Sequence, residues 1–200
     1  MSRFIYIVNL DSTITRQEIL LNVSKKFGLY EKLRELMGST LQGELPFKQS
    51  FIRRVELFKK IPVGQMREAV GELLLNEYLI EFIQKNKERC YIVTSIPDVW
   101  IEDLVIKIGM NENVFCSSAL VKEGCIESVL NVIDKPAVIS QLAQPFVAVG
   151  NENDDVEMLA AAEVGIVYGG VRGIAPAALA CASHAIYDEK KLVQFLKLLL

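Results

Sequence analysis

Polar side chains that could do chemistry follow four separate apolar segments of this sequence. They are Asn9 and Asp11 after the first segment, Thr94 and Ser95 after the second, Lys135 at the start of a helical segment, and Asn151 and Asp155 after a later segment. Carboxylates can donate or accept a proton, and hydroxyl and ammonium groups donate hydrogen bonds to an anion. If one edge of a sheet carries all four groups, the sequence predicts a single ligand site.

The elements that must position these groups are short strands alternating with helices. The run FIYIV at 4–8 is apolar and rich in β-branched and aromatic residues, as buried strands are. Further strands are predicted at 90–93, 114–119, 146–149, 164–167 and 185–187, with a small hairpin around 122–124. Helices are predicted at 99–108, at 136–143 with Asp134 as N-cap, at 156–162, between the last two strands and from 189 onward.

This alternation predicts an α/β protein with a Rossmann-like, mostly parallel sheet and helices on both faces. In such sheets ligands bind beyond the carboxyl ends of the strands. A long region with helical apolar spacing, roughly residues 16–83, follows the first strand, with turns predicted near Gly28, at 38–43 and at 61–64. We therefore expect a core domain of residues 1–14 and 84–200, with residues 15–83 inserted as a helical cap over the carboxyl edge.

Composition narrows the possible partners and location. The chain has 200 residues, of which 51 % are hydrophobic and 24 % charged, so it can bury a core. A net charge of −3 gives no basic field, and no nucleic-acid partner is expected. The four cysteines are far apart and there is one histidine, so no structural zinc is expected. The apolar runs at both ends are short or interrupted, so we expect no membrane partner and a cytoplasmic location.

The four polar groups, in order and spacing, resemble the motifs of the haloacid dehalogenase (HAD) superfamily. Those motifs are a strand followed by Asp-x-Asp-x-Thr, a Ser or Thr after a strand, a Lys, and an acidic cluster of the type Gly-Asp-Gly-x-Asn-Asp. The resemblance covers nearly the whole chain and implies the HAD fold. It also implies a phosphatase that forms an aspartyl-phosphate and uses Mg²⁺ held by carboxylates of the first and fourth motifs.

The resemblance assigns a role to each matching residue. It implies that Asn9 takes the nucleophile position, that Asp11 is the general acid and base, and that Thr94 and Lys135 bind the phosphoryl oxygens. It assigns the metal to the four positions of the first and fourth motifs, which are here Asn9, Asp11, Asn151 and Asp155.

The predicted cap resembles that of phosphoserine phosphatases. Glu18 lies nine residues after Asn9, where those enzymes hold the substrate ammonium, and the stretch 43–55 is similar to their cap helix. The resemblance implies that Arg54 clamps a substrate carboxylate, that Phe47 walls the pocket, and that Ser95 contributes to substrate binding. A small, amino-acid-like phosphate is therefore the expected ligand. For Arg54 an ion pair with a glutamate of the cap is the alternative.

Several positions depart from the family pattern. A neutral carboxamide such as Asn9 cannot form an acyl-phosphate at a useful rate, and loss of a nucleophile can cost on the order of 10⁶ in kcat. Asn9 and Asn151 also remove charge from the metal position, so Mg²⁺ binding is expected to be weakened. Ile96 and Pro97 replace glycines that usually follow the second motif, and Glu152 replaces a glycine of the fourth, where its carboxylate would partly compensate at the metal.

Three functions remain open from the sequence. The chain is a phosphoserine phosphatase-type enzyme whose reaction is switched off at Asn9 and Asn151, naturally or by deliberate Asp→Asn replacement. Alternatively it is a pseudophosphatase that binds a phosphorylated ligand or a protein partner without turnover. The third possibility is a phosphatase for another small phosphate. The sequence leaves the substrate and the oligomeric state undecided.

Overall fold

A seven-stranded sheet organises the computed structural model, which describes residues 4–41, 45–142 and 145–200. The strands are β1 (Ile5–Asn9), β2 (Cys90–Pro97), β3 (Val114–Lys122), β4 (Cys125–Asn131), β5 (Phe146–Gly150), β6 (Val164–Tyr168) and β7 (His184–Ile186). Their order is β4-β3-β2-β1-β5-β6-β7, and all neighbours are parallel except β3 and β4. The predicted α/β class and mostly parallel sheet are confirmed.

Helices cover both faces of this sheet. They are α1 (Ile19–Lys26), α2 (Tyr30–Leu41), α3 (Phe47–Leu57), α4 (Val63–Gly71), α5 (Glu77–Lys85), α6 (Asp98–Lys107), α7 (Lys135–Ile139), α8 (Val156–Ala161), α9 (Pro176–Cys181) and α10 (Glu189–Leu198). Alternate side chains of β1 enter two separate hydrophobic clusters, Tyr6 and Val8 in one and Ile5 and Ile7 in the other. Because successive strand residues point to opposite faces, β1 is buried throughout at the centre of the sheet.

The chain leaves the sheet after β1 and returns beside the same point. Thr15 and Leu75 form an antiparallel bridge, and the amide of Asn76 donates to the carbonyl of Ile14 at 2.8 Å. Helices α1–α4 lie between these two places, whereas α5 packs against the core, with Phe82 edge-on to Tyr6 at 5.3 Å between ring centroids. The division into a core and a cap of residues 15–83 stays a prediction.

Most element boundaries agree with the sequence within a few residues. The β3–β4 hairpin turns at Glu123 and Gly124, which both have positive φ as a two-residue hairpin turn requires. The predicted turn beginning at Gly38 is wrong, because α2 continues through this glycine to Leu41. Residues 42–44 and 143–144, on which parts of the predicted cap helix motif and of the helix at 136–143 fall, lie outside the described residues.

Candidate functional site

The loop after β1 is a tight turn that fixes the first motif at the sheet edge. Leu10–Ile14 form this turn, and Ser12 has a positive φ of 55° within it. The side chain of Thr15 accepts from the amide of Ser12 at 3.0 Å and donates to the carbonyl of Leu10 at 3.2 Å. The turn therefore holds the backbone of Asn9 and Asp11 in place without using the side chain of Asn9.

Asp155 is the hydrogen-bonding centre of the site floor, and it is fully buried. Its carboxylate accepts four hydrogen bonds, from Asn9 Nδ2 at 3.1 Å, the Asn151 amide at 2.8 Å, the Glu152 amide at 3.0 Å and Lys135 Nζ at 2.6 Å. A Cβ on Gly150 would lie 2.5 Å from Asp155 Oδ2, so only glycine permits this approach. Oδ2 accepts three of these bonds and Oδ1 accepts the one from Lys135, so both oxygens of the carboxylate are engaged.

Asp154 binds Lys135, which the family resemblance assigns to phosphate, and Ser95, which it assigns to substrate binding. Its Oδ2 accepts from Lys135 Nζ at 2.8 Å and from Ser95 Oγ at 2.9 Å. Burial would raise the pKa of Asp154, but the Lys135 ammonium and the Ser95 hydroxyl hold it below its ordinary value. Burial would likewise lower the pKa of Lys135, but Asp154 and Asp155 raise it above its ordinary value. Both groups therefore remain charged, and a carboxylate of the chain itself lies where a phosphoryl group is expected.

The cap side of the site carries a second set of charges. Arg172, in the loop after β6, donates to Glu18 at 2.5 Å and lies 3.4 Å from a carboxylate oxygen of Glu152. Arg54 donates through Nε to Ser50 Oγ at 3.2 Å. In this structure Glu18 pairs with Arg172, and its predicted pairing with a substrate ammonium stays a prediction. Burial lowers the pKa of Arg54, whereas the Glu152 and Glu18 carboxylates nearby act to raise it. The alternative that Arg54 pairs with Glu56 or Glu18 stays a prediction.

A small pocket of about 30 Å³ lies between the floor and the cap side. Seven of the predicted site residues line it: Asn9, Asp11, Glu18, Phe47, Arg54, Thr94 and Ser95. Phe47 stacks on Phe51 with ring centroids 5.9 Å apart and completes an apolar wall. Three other predicted residues, Lys135, Asn151 and Asp155, are buried behind this lining and bind one another or the groups that line it. The structure therefore brings all the predicted site residues to one place.

The pocket lining is acidic. It includes the carboxylates of Asp11, Glu18, Glu152 and Asp154, whereas its lining cation is Arg54. Burial, and then the neighbouring Glu18 carboxylate, raise the pKa of Asp11 to about 7. Burial, and then the carboxylates of Asp11 and Asp154, raise the pKa of Glu152 well above its ordinary value. These raised pKa values favour the neutral, protonated form of Glu152 and leave Asp11 partly protonated near neutral pH, which lessens the repulsion among the clustered carboxyl groups.

The residues assigned to Mg²⁺ make a poor site for that ion. Asn9 and Asn151 offer neutral amide oxygens, and Asp155 already accepts four hydrogen bonds. Within the described ranges, no three His, Cys, Asp or Glu side chains are arranged to hold a metal ion. Mg²⁺ prefers carboxylate oxygens in near-octahedral geometry. The side chains present thus do not fit the metal site that the resemblance implies, and the metal roles of Asn9, Asp11, Asn151 and Asp155 stay predictions.

Comparison with known proteins shows what this chain is similar to. No family model matches the chain. It is 25 % identical over 173 residues to the phosphoserine phosphatase of Methanocaldococcus jannaschii, covering 79 % of this chain and 82 % of that protein. It is 25 % identical over 206 residues to the phosphoserine phosphatase of Lactococcus lactis, covering 96 % of this chain and 93 % of that protein.

Solved structures show the same relationship for the fold. The structure of a phospho-aspartyl intermediate analogue of phosphoserine phosphatase matches with a TM-score of 0.80 at 21 % identity, covering 98 % of this chain and 99 % of that one. A substrate-bound phosphoserine phosphatase matches with a TM-score of 0.78, also at 21 % identity, covering 96 % and 98 % of the two chains. This chain is a phosphoserine phosphatase-like protein with the HAD fold. The similarity supports a phosphatase-type function at the level of the family. Among the described residues, no helix combines the length and the apolar character needed to cross a bilayer.

Two residues of this phosphoserine phosphatase-like site were missed by the sequence analysis. Asp154 stands at the fifth position of the fourth motif, where the family pattern carries Asn, so comparison of that position could have found it. Arg172 follows two glycines after β6, and its place at the carboxyl edge of a strand was the available signal. Its pairing with Glu18, 154 positions away, had no signal in the sequence.

Proposed function

We propose that this chain is a pseudophosphatase: it retains a phosphatase-type pocket for a small, amino-acid-like ligand but does not hydrolyse phosphate esters. The observation that carries the proposal is the environment of Asn9. Its Nδ2 donates to Asp155 Oδ2 at 3.1 Å, and rotation of the amide would bring two acceptor oxygens together. The pocket therefore has a neutral amide, and no carboxylate, at the nucleophile position.

The similarity to relatives explains why this residue matters. One structural relative was solved as an analogue of a phospho-aspartyl intermediate, so an aspartate is the nucleophile in that protein's reaction. The nitrogen lone pair of an amide is delocalised, and an amide oxygen is a weak nucleophile. Loss of a nucleophile that acts within a catalytic unit costs on the order of 10⁶ in kcat.

The ligand class is proposed from the cap side. Relatives are named for phosphoserine, and Arg54, Glu18 and Phe47, to which the motif resemblance assigns substrate contacts, line this pocket. The charged and aromatic groups of this lining suit a metabolite of amino-acid size, whose entry would require the pocket of about 30 Å³ to widen. Dependence on Mg²⁺ is not part of the proposal, because the donor set does not fit that ion. A cytoplasmic location remains proposed with it.

A switched-off phosphatase is the second candidate. It is favoured by the convergence of Asp11, Thr94 and Lys135 at one pocket, since these residues would serve hydrolysis if a nucleophile were present. On this interpretation only Asn9 and Asn151 prevent the reaction, and restoring both aspartates would restore it.

Phosphate release from O-phospho-L-serine and from an aryl phosphate, with Mg²⁺, separates the two. The chain and its Asn9→Asp/Asn151→Asp variant are compared, with folding of both checked by circular dichroism. The pseudophosphatase proposal predicts no release by the chain and little by the variant. Release by the variant alone supports the switched-off phosphatase, and release by the unchanged chain refutes the proposal.

A further inference from the structure

We propose that Asp154 is a specificity-determining residue that excludes phosphate from the floor of the pocket and makes this end a site for a ligand's ammonium group. The inference rests on the proposed function, because it names the ligand that the pseudophosphatase pocket would take. The floor is defined here as Asn9, Ser95, Lys135, Asn151, Asp154 and Asp155.

The first step is that two anion-binding groups of the floor, Lys135 and Ser95, are already occupied. Lys135 Nζ lies 2.8 Å from Asp154 and 2.6 Å from Asp155, and Ser95 Oγ donates to Asp154 at 2.9 Å. Asp154 lies in the short 3₁₀ turn Asn153–Asp155, next to the residue that four hydrogen bonds hold in place. A phosphate bound at Lys135 would have to share this ammonium with both carboxylates. The two carboxylates carry one more charge than the ammonium between them, so this group has a net negative charge. An incoming phosphate dianion would therefore be repelled.

The second step is that the buried side-chain atoms of the floor that lack a hydrogen-bond partner are acceptors. Asn9 Oδ1, Asn151 Oδ1 and Asp154 Oδ1 have no hydrogen-bond partner among the described residues, and Asn9 is 2 % exposed. The nitrogen of each amide is committed, in Asn9 to Asp155 and in Asn151 to the carbonyl of Ser12 at 3.0 Å. Buried acceptors cost free energy unless a donor reaches them. An ammonium group brings three donors, whereas phosphate oxygens bring acceptors.

The third step concerns where the ammonium would lie. The resemblance places a substrate ammonium at Glu18, but Arg172 already pairs with that carboxylate at 2.5 Å. Asn9 and Asp154 line the pocket with open acceptors in the floor, whereas the open oxygen of Glu152 lies 3.4 Å from Arg172 on the cap side. Arg54 lines the opposite side and suits a carboxylate of the same ligand. The ligand class is therefore a small amino acid or amine whose side chain ends in an ammonium group and carries no phosphate.

Matched probes test this ligand class on the unchanged chain. O-phospho-L-serine and L-2,4-diaminobutyrate share an amino-acid backbone but end in phosphate and in ammonium, respectively. Isothermal titration calorimetry is expected to show that diaminobutyrate binds roughly 10- to 100-fold more tightly than phosphoserine. This ratio of dissociation constants corresponds to the free energy of about one hydrogen bond to a charged group. Equal or tighter binding of phosphoserine, or no binding of diaminobutyrate, would overturn the inference.

The Asp154→Asn variant tests the residue itself. It should bind inorganic phosphate at least about tenfold more tightly than the unchanged chain and diaminobutyrate about tenfold more weakly. Asp103→Asn is the matched control, because Asp103 is exposed on α6 and far from the pocket lining. Phosphate binding that is the same with and without Asp154 would refute its role. These binding results do not depend on hydrolysis, so they fail independently of the pseudophosphatase proposal, which only phosphate release by the unchanged chain refutes.

Discussion

The floor of the pocket and its cap side hold their charges in different ways. In the floor, Lys135 and Asp155 are 3 % and 0 % exposed and are bound directly to each other and to Asp154. On the cap side, Arg172 and Glu18 form a pair in which the side chains are 31 % and 16 % exposed. Water can compensate a lost partner on the cap side but not in the floor. Substitutions in the floor should therefore mainly lower the free energy of unfolding, whereas substitutions on the cap side should mainly weaken ligand binding.

The largest effect is expected from Lys135→Met. Removing the ammonium leaves Asp154 and Asp155 as neighbouring buried carboxylates without their cation. Breaking a buried ion pair by removing one partner typically costs about 3–5 kcal/mol. We expect the free energy of unfolding, measured by urea denaturation, to fall by about this amount. Lys107→Met, at an exposed position of α6, is the matched control and should change it by less than about 0.5 kcal/mol.

A second variant shows whether the loss comes from charge. Adding Asp154→Asn to Lys135→Met removes one of the two uncompensated carboxylates and should recover part of the lost stability. If Lys135→Met is no more destabilising than Lys107→Met, the ion pairs of Lys135 with Asp154 and Asp155 do not stabilise the folded state.

Sequence reasoning reached the position of these residues but not their pairing. Parallel strands end at one edge, so the order of the motifs was enough to predict that Asn9, Thr94 and Lys135 would converge. The loss of the nucleophile also follows from residue type alone. The ion pair between Lys135 and Asp154 depends on the directions of side chains from two separate loops. No local sequence pattern encodes these directions. Likewise, the continuation of α2 through Gly38 shows that the rest of the helix outweighed one unfavourable residue.

The next effect concerns the metal. In Asn9→Asp/Asn151→Asp, a new carboxylate at position 9 would face Asp155, to which Asn9 Nδ2 now donates at 3.1 Å. Without metal we expect the free energy of unfolding to fall by about 2–3 kcal/mol, because a hydrogen bond to a charged group becomes a repulsion between like charges. Millimolar Mg²⁺ should recover most of this loss, and should stabilise the unchanged chain much less.

The control for this comparison is Asn111→Asp/Asn131→Asp, which adds the same charge at two exposed positions. Its stability should not depend on Mg²⁺. If Mg²⁺ stabilises the unchanged chain as much as the Asn9→Asp/Asn151→Asp variant, the present donor set does fit the metal, contrary to the geometry of Asp155.

A smaller effect separates the nucleophile from the phosphate-excluding carboxylate. Adding Asp154→Asn to Asn9→Asp/Asn151→Asp should raise the rate of phosphate release from O-phospho-L-serine roughly 10- to 100-fold over the double variant, because Lys135 and Ser95 become available to phosphate. Steady-state assays with Mg²⁺ measure this rate. Equal rates for the triple and double variants would mean that Asp154 does not obstruct the phosphoryl position.

The smallest effect is expected on the cap side, from Phe47→Leu. Phe47 stacks on Phe51 at 5.9 Å and 22°, and Phe115 stacks on Tyr91 at 5.9 Å and 29° on a different part of the molecule. Phe47→Leu and Phe115→Leu should therefore each lower the free energy of unfolding by about 1 kcal/mol. Only Phe47→Leu should weaken binding of L-2,4-diaminobutyrate, by roughly threefold, because Phe115 does not line the pocket. Calorimetric titration of both variants with L-2,4-diaminobutyrate checks this. If both variants lose the same affinity, the loss follows from lower stability of the fold and not from a contact between Phe47 and the ligand.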